Sequence, residues 1–378
     1  MKETKFKNTE IGQIPENWEV KKLGAVFDIG NGRDYKHLNT GKIPVYGTGG
    51  LMTYVNEYLY DGETVCIGRK GTINMPQYHN GKIWTVDTLF YTYNFRKTDV
   101  KFLYYLTQRI DWNSYNTATG VPSLTSQNIS NILVSFPPLH EQHRIASALT
   151  SIDNLISSLG KLIEKKKNIK QGAMQQLLTG KTHLKGFNEP WMEKKLGDIG
   201  SLAMCKRIFQ EETSEKGDVP FYKIGTFGQQ ADAYITKGKY EQFKQMYRFP
   251  QKGDVLISAA GTIGRTVIYN GEPAYFQDSN IVWLAHNGKY ITNNFLFYIY
   301  QRTDWNTEDT TIARLYNNNF NNTCIHFPSS ITEQQAIANI LSKMDNEITA
   351  LETKKAKYEA IKQGMMQQLL IGKIRLIS

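Results

Sequence analysis

The apolar positions after Pro138 fall into a repeating step. Ile145, Leu149, Ile152, Ile156, Leu159 and Ile163 alternate intervals of four and three residues, which is the spacing of a coiled-coil seam on one face of a helix. A second run keeps that register through Ile337, Leu341, Met344, Ile348 and Leu351, then Lys355, Tyr358, Lys362, Met365 and Leu369. The prolines of "FPP", Phe136 to Pro138, exclude a helix just before the first run. Gly180 and Gly372 stand where C′ glycines close helices, with Lys181 and Lys373 near the negative end of each dipole. A helix of about 38 residues extends roughly 57 Å at 1.5 Å per residue, more than a small domain can cover. Two such stripes in one chain bury each other most economically as an antiparallel intramolecular coiled coil, with a globular domain between them and two similar domains at opposite ends of a rod. Gly172 and Gly364, inside the helices, predict either the close approach of another backbone or frayed ends.

Ahead of each helix the period changes. Short β-branched and aromatic runs such as "ETVCIG", "KIWTV" and "TLFYTYNF" are broken by Gly, Asn and Asp, with one helical pattern at "VKFLYYLTQRI". This predicts a mainly β domain containing some helix. The whole pattern then repeats: "KQGAMQQLLTGK" (Lys170 to Lys181) returns as "KQGMMQQLLIGK" (Lys362 to Lys373), 192 residues later. "FLYYLTQRIDW" from Phe102 is answered by "FLFYIYQRTDW" from Phe295, and "WEVKKLG" from Trp18 by "WMEKKLG" from Trp191. The expected fold is α+β: two similar mixed α/β domains, 1–138 and 183–328, separated by long helical segments at 139–182 and 329–378, with pseudo-twofold symmetry.

Composition narrows the function classes. The chain carries 45 Lys+Arg against 35 Asp+Glu, a formal net charge of +10, which favours a polyanionic partner. Three scattered cysteines have neither disulfide-framework nor zinc-type spacing, and a reducing cytoplasm fits them. The opening "MKETKFKNTEIG" has no apolar core of a leader, and no apolar run approaches the length of a spanning helix. Motifs for chemistry are absent. "FPPL" at Phe136 lacks the polar first and aromatic last residues of an amino-methyltransferase loop, and "GKT" at Gly180 follows a helix instead of opening one. "GTGG" at Gly47 is followed by Met52 where a dinucleotide fingerprint needs glycine, and "PENWEVK" crowds its carboxylates too closely for a nuclease. The chain is expected not to be an enzyme.

The order "IGQIPENWEVKKLG", "GVPSLTSQNISNILVSFPPLHEQHRIASAL" and "MQQLLTGK", with the motifs of Trp18, Glu141 and Gly180 repeated in the second half, resembles the DNA-specificity (S) subunits of type I restriction-modification systems along the whole chain. The second copy departs from the pattern at "TIARLYNNNFNNTCIHFPSSITEQ", where Thr311, Ala313 and Arg314 face Gly120, Pro122 and Ser123. The resemblance implies a non-catalytic subunit whose two target-recognition domains each read half of a split, asymmetric double-stranded DNA target. The paired helices would act as a ruler and dock two methyltransferase (M) subunits, with restriction (R) subunits completing the complex. S-adenosylmethionine, ATP and Mg belong to those partners, and neither cofactor nor metal is expected in this chain. A stand-alone DNA-binding or decoy protein is the alternative.

Reading bases needs loops that reach a groove, and anchoring phosphates needs amides and cations. "GRKGTIN" and "SAAGTIGR" occupy matching places and nominate Arg69, Lys70, Gly71, Gly261, Thr262 and Arg265. "NGRDYKH" and "CKRIFQ" also match in place but differ in content, as loops for two half-sites should, and nominate Arg33, Lys36, Lys206 and Arg207. Arg314 completes the set. Plain turns and solvent-facing drift are the competing explanations for these loops. Lys165 to Lys167 read as a solvated face first and a docking face second.

Overall fold

The computed structural model describes residues 5–305 and 314–376, so Thr311 and Ala313 lie outside the described residues. The chain forms two compact units, residues 1–161 with 352–378, and residues 162–351. Each unit contains one mixed domain and one part of each long helix. The helices run Leu139–Leu177 and Ile331–Leu369.

In the first unit a six-stranded sheet has the order Asp28–Asn31, Leu89–Tyr93, Tyr60–Gly68, Gln77–Thr85, Thr40–Gly47, Gly50–Val55. Its central strand is buried from Thr64 to Gly68, consistent with its Val, Cys and Ile content. All pairings are antiparallel except that of Thr40–Gly47 with Gln77–Thr85. The two-stranded pair Glu19–Lys22 with Leu133–Phe136 brings the start of the domain to the root of the first long helix. Trp18, Phe102 and Phe136 form the core with Ile145 and Leu149 of the first helix and Leu369 and Leu370 at the end of the second.

The second unit repeats the plan with smaller sheets. Trp191–Lys195 pairs with Cys324–Pro328, and a four-stranded sheet has the order Ser201–Met204, Ile281–Ala285, Val255–Ser258, Thr266–Ile268. Val219–Tyr222 pairs in parallel with Tyr275–Phe276, echoing the parallel pair of the first unit. Helix Lys237–Met246 stands between Ala233–Ile235 and Val255–Ser258, where the first unit has a short link between Gly50–Val55 and Tyr60–Gly68. Phe295, Phe320 and Phe327 pack with Leu178 of the first helical segment and Ile337 and Leu341 of the second.

Within each unit the long helices run antiparallel. Asp153 meets Lys362 at 2.7 Å and a Cβ on Gly160 would lie 3.8 Å from Lys355 in the first unit. In the second, Lys166 meets Glu347 at 2.7 Å and Lys170 meets Asp345 at 2.5 Å. Of the apolar stripe, Ile145, Leu149, Ile152, Leu159, Ile163, Ile337, Leu341, Ile348 and Leu369 are buried, and Ile156, Met344 and Leu351 are half-buried.

The same contacts hold both domains to the helices. Gln142 accepts from the Asp99 amide at 2.9 Å and donates to the carbonyls of Lys97 at 3.2 Å and Pro137 at 2.9 Å. Gln334 accepts from the Thr292 amide at 2.8 Å and donates to Tyr290 at 2.8 Å and Pro328 at 2.9 Å. Asp99 and Thr292 in turn cap the helices Val100–Thr107 and Asn293–Tyr300. Tyr105 donates to Asp153 at 2.7 Å beneath Lys362, and Tyr298 donates to Asp345 at 2.9 Å beneath Lys170.

The expectation for Gly172 and Gly364 is corrected. Both lie inside continuous helix, and a Cβ on either would meet nothing within 4 Å, so neither close approach nor fraying explains them. Close approach occurs at Gly180 and Gly372, which have φ of +71° and +70°. A Cβ on Gly180 would come within 3.0 Å of Trp191, and one on Gly372 within 2.3 Å of Pro15 and 3.2 Å of Trp18. The repeated phrase ends where the helix exit seats on the tryptophan edge of its domain, a place only glycine fits. Among the described residues, no helix is long and apolar enough to cross a membrane.

Candidate nucleic-acid interface

In the first unit the nominated loops gather at one end of the six-stranded sheet. Arg33 is exposed; its amide donates to Thr85 and its carbonyl accepts from the Trp84 indole, both at 2.9 Å, so the loop is anchored while the guanidinium is not buried. Lys36 is exposed after an Asp34 side-chain turn. Lys36 lines a cleft of about 560 Å³ with Thr48, Met52, Asp87 and Thr88. Arg69 and Lys70 abut the same place: their amides donate to Thr88 at 2.8 and 3.2 Å, and the Arg69 guanidinium donates to the Asp87 carbonyl at 3.4 Å. Gly71 has φ of +86°, donates its amide to Pro122 at 2.9 Å, and presents its Cα face toward Thr48.

These contacts change the chemistry expected of "GRKGTIN". The amides of Arg69, Lys70 and Gly71 already serve backbone carbonyls, so that loop does not offer them as a phosphate cradle. Side-chain cations remain. His79, stacked on Tyr46, adds no charge near neutral pH, because burial pushes its imidazole down to about 4.

The second unit arranges its cations differently. Arg207 pairs with Asp278 at 2.8 Å, with 59% of the Arg207 side chain exposed and 16% of that of Asp278. Arg314 donates to the Ser279 hydroxyl at 2.9 Å, and Ser279 itself sits at φ +54°. One turn, with Ser279 in the left-handed region, therefore engages both guanidiniums. Gly261, at φ +63°, and Thr262 are exposed beside them, and their amides have no hydrogen-bond partner among the described residues. Lys206 and Arg265 do not join the group: the Lys206 ammonium lies 5.2 Å above Tyr247, and Arg265 donates to the Phe227 carbonyl at 2.9 Å.

Thr48, Met52, Asp87, Ser123, Asp278 and Ser279 were not nominated from sequence. "GTGG" held the one available signal for Thr48, since a glycine-rich break between two β runs marks a hairpin tip. The rest depend on which distant segments the fold brings together. Among the described residues, no group of three or more His, Cys, Asp or Glu could hold a metal ion.

Residues 15–171 and 188–363 match the type I restriction modification DNA specificity domain, once in each half. The chain is 35% identical to S.HindORF215P, named as a type I restriction enzyme specificity subunit of Haemophilus influenzae, over 86% of this chain and 88% of that one. It is 25% identical to the type I restriction enzyme MjaVIII specificity subunit of Methanocaldococcus jannaschii, over 99% and 97% of the two chains. Its fold resembles the type I restriction-modification S subunit of M. genitalium, with TM-score 0.66 and 17% identity over 94% of this chain and 96% of that one. Two copies of the specificity domain covering most of the chain show that this protein belongs to the type I restriction-modification specificity-subunit family.

Proposed function

We propose that each unit reads one half of a split double-stranded DNA target, and that the chain acts within a complex whose methyltransferase (M) and restriction (R) subunits supply the chemistry. The observation that carries this reading is a shared frame with differing tips. The Gln142 and Gln334 contacts repeat almost atom for atom, while Arg33, Lys36, Arg69 and Lys70 face one end of the first domain, and Arg207 and Arg314 are gathered on a single turn of the second. A frame that repeats while its tips change suits two different half-sequences on one kind of duplex. S-adenosylmethionine, ATP and Mg belong to the partners in this reading, whose setting is the cytoplasm. The net charge of +10 supports a phosphate contribution to affinity.

The first test is electrostatic. If about six phosphates are neutralised, affinity of the assembled complex for duplex DNA falls by roughly 10³ between 50 and 200 mM salt. A flat salt response would remove DNA as the partner.

A further inference from the structure

The two domains place a cation at one equivalent position, but from opposite sides of a β-bridge. In the first unit Lys70 bridges antiparallel to Ser123; in the second, Ala260 bridges antiparallel to Arg314. The neighbouring contacts identify these as the same place in the repeat. Lys70 follows Arg69 and precedes Gly71-Thr72-Ile73, while Ala260 follows Ala259 and precedes Gly261-Thr262-Ile263. Leu124, after Ser123, donates its amide to the Arg69 carbonyl at 2.9 Å, and Leu315, after Arg314, donates to the Ala259 carbonyl at 2.8 Å. The strand end alongside is also equivalent: the Arg69 amide donates to the Thr88 carbonyl at 2.8 Å, and the Ala259 amide donates to the Asn280 carbonyl at 2.7 Å.

The second domain has therefore lost both cations of the Arg69-Lys70 pair, keeping alanines there, and has gained Arg314 across the bridge. Directly opposed residues in an antiparallel pair hold their Cβ atoms about 4.5–5.5 Å apart, close enough for a long cationic side chain on either strand to reach the same spot. The Lys70 side chain is exposed and has no ion-pair or hydrogen-bond partner among the described residues.

We infer that Lys70 and Arg314 make the same contact in their respective domains, and that its ligand is a phosphate of the duplex backbone. This rests on the DNA-reading proposal and adds to it. Two half-sites of different sequence share only their sugar-phosphate backbone, so a charge kept at one position by different residues from different strands fits that common element. Bases would be left to the loops whose content differs. A bidentate base contact would not tolerate the exchange of a planar guanidinium for an ammonium, whereas a phosphate accepts either.

The test uses the full-length chain assembled with its methyltransferase partners and a labelled duplex of unrelated sequence, with binding measured across a salt series. Lys70→Ala and Arg314→Ala should each lower the slope of log affinity against log salt by about one. Restoring the charge from the other strand should restore the slope: Ser123→Arg in the Lys70→Ala background, and Ala260→Lys in the Arg314→Ala background. Circular dichroism of every variant should match the parent, and Arg314→Gln, which keeps a donor for Ser279, should lose slope like Arg314→Ala. An unchanged slope in the single variants, or no recovery in folded double variants, overturns the inference. So does a change in the recognised sequence from Lys70→Ala, which would mark a base contact. Failure of the parent complex to bind any duplex would instead remove the DNA reading on which the inference stands.

Discussion

Glu141 and Glu333 begin the two long helices at matching positions, and both are fully buried, yet their partners differ. Glu141 receives Arg375 through both carboxylate oxygens at 2.6 Å and the Trp18 indole at 3.0 Å. Glu333 receives His183 at 3.1 Å and the Leu184 amide at 3.4 Å, while the corresponding indole of Trp191 is buried without a partner among the described residues. Arg375 and His183 are themselves separated by the repeat interval of 192 residues. The same buried acid is thus held by a bidentate guanidinium and an indole in one unit, and by an imidazole and a backbone amide in the other. A duplicated frame tolerates change in the partner because the carboxylate needs donors more than it needs one particular residue.

The largest way to break this symmetry is to remove the two side-chain partners. Arg375→Ala should destabilise the first unit by about 3–5 kcal/mol, since it strands a buried charge. His183→Ala should cost the second unit less, about 1–3 kcal/mol, because it removes one imidazole contact at 3.1 Å and not a bidentate guanidinium at 2.6 Å. Denaturant melts of the two variants, with hydrogen exchange assigning the loss to one unit, would check the order; a greater loss from His183→Ala would reverse the comparison.

A smaller effect should be equal in the two units. Lys362 and Lys170 lie over Tyr105 and Tyr298 and pair with Asp153 and Asp345, with Lys side chains 21% and 18% exposed. Alanine at either should cost about 1 kcal/mol or less, as expected for partly exposed pairs. A difference of several-fold between the two in parallel melts would show that the repeated contacts are not equivalent. The smallest change has the opposite sign. Gly172→Ala and Gly364→Ala enter open helix positions and should each stabilise by about 0.5–1 kcal/mol, read as a rise in denaturation midpoint.

The helices were legible because their signal is local: intervals of three and four among Ile145, Leu149 and Ile152 need no knowledge of the partner. The placement of Leu89–Tyr93 between Asp28–Asn31 and Tyr60–Gly68 was not, since strand order is decided by pairings between distant segments. The site divides in the same way. Gly-rich loops bearing Arg and Lys stood out by composition, and Arg33, Lys36 and Lys70 prove exposed. Arg265 also stood out, but the fold directs it to the Phe227 carbonyl, and composition carries no sign of that. The role of Gly180 and Gly372 was half visible, as the left-handed exit is a local property while contact with Trp191 and Trp18 is not.

Mapping methylated adenines across the genome of a host carrying the assembled complex tests the two-reader arrangement most directly. The expected motif is two unlike half-sequences separated by an unread gap. Arg33→Ala or Lys36→Ala should then relax only one half, and Arg207→Ala only the other, each base contact being worth about 1–3 kcal/mol. A single uninterrupted motif, or one substitution relaxing both halves in a folded complex, would contradict independent reading by the two domains.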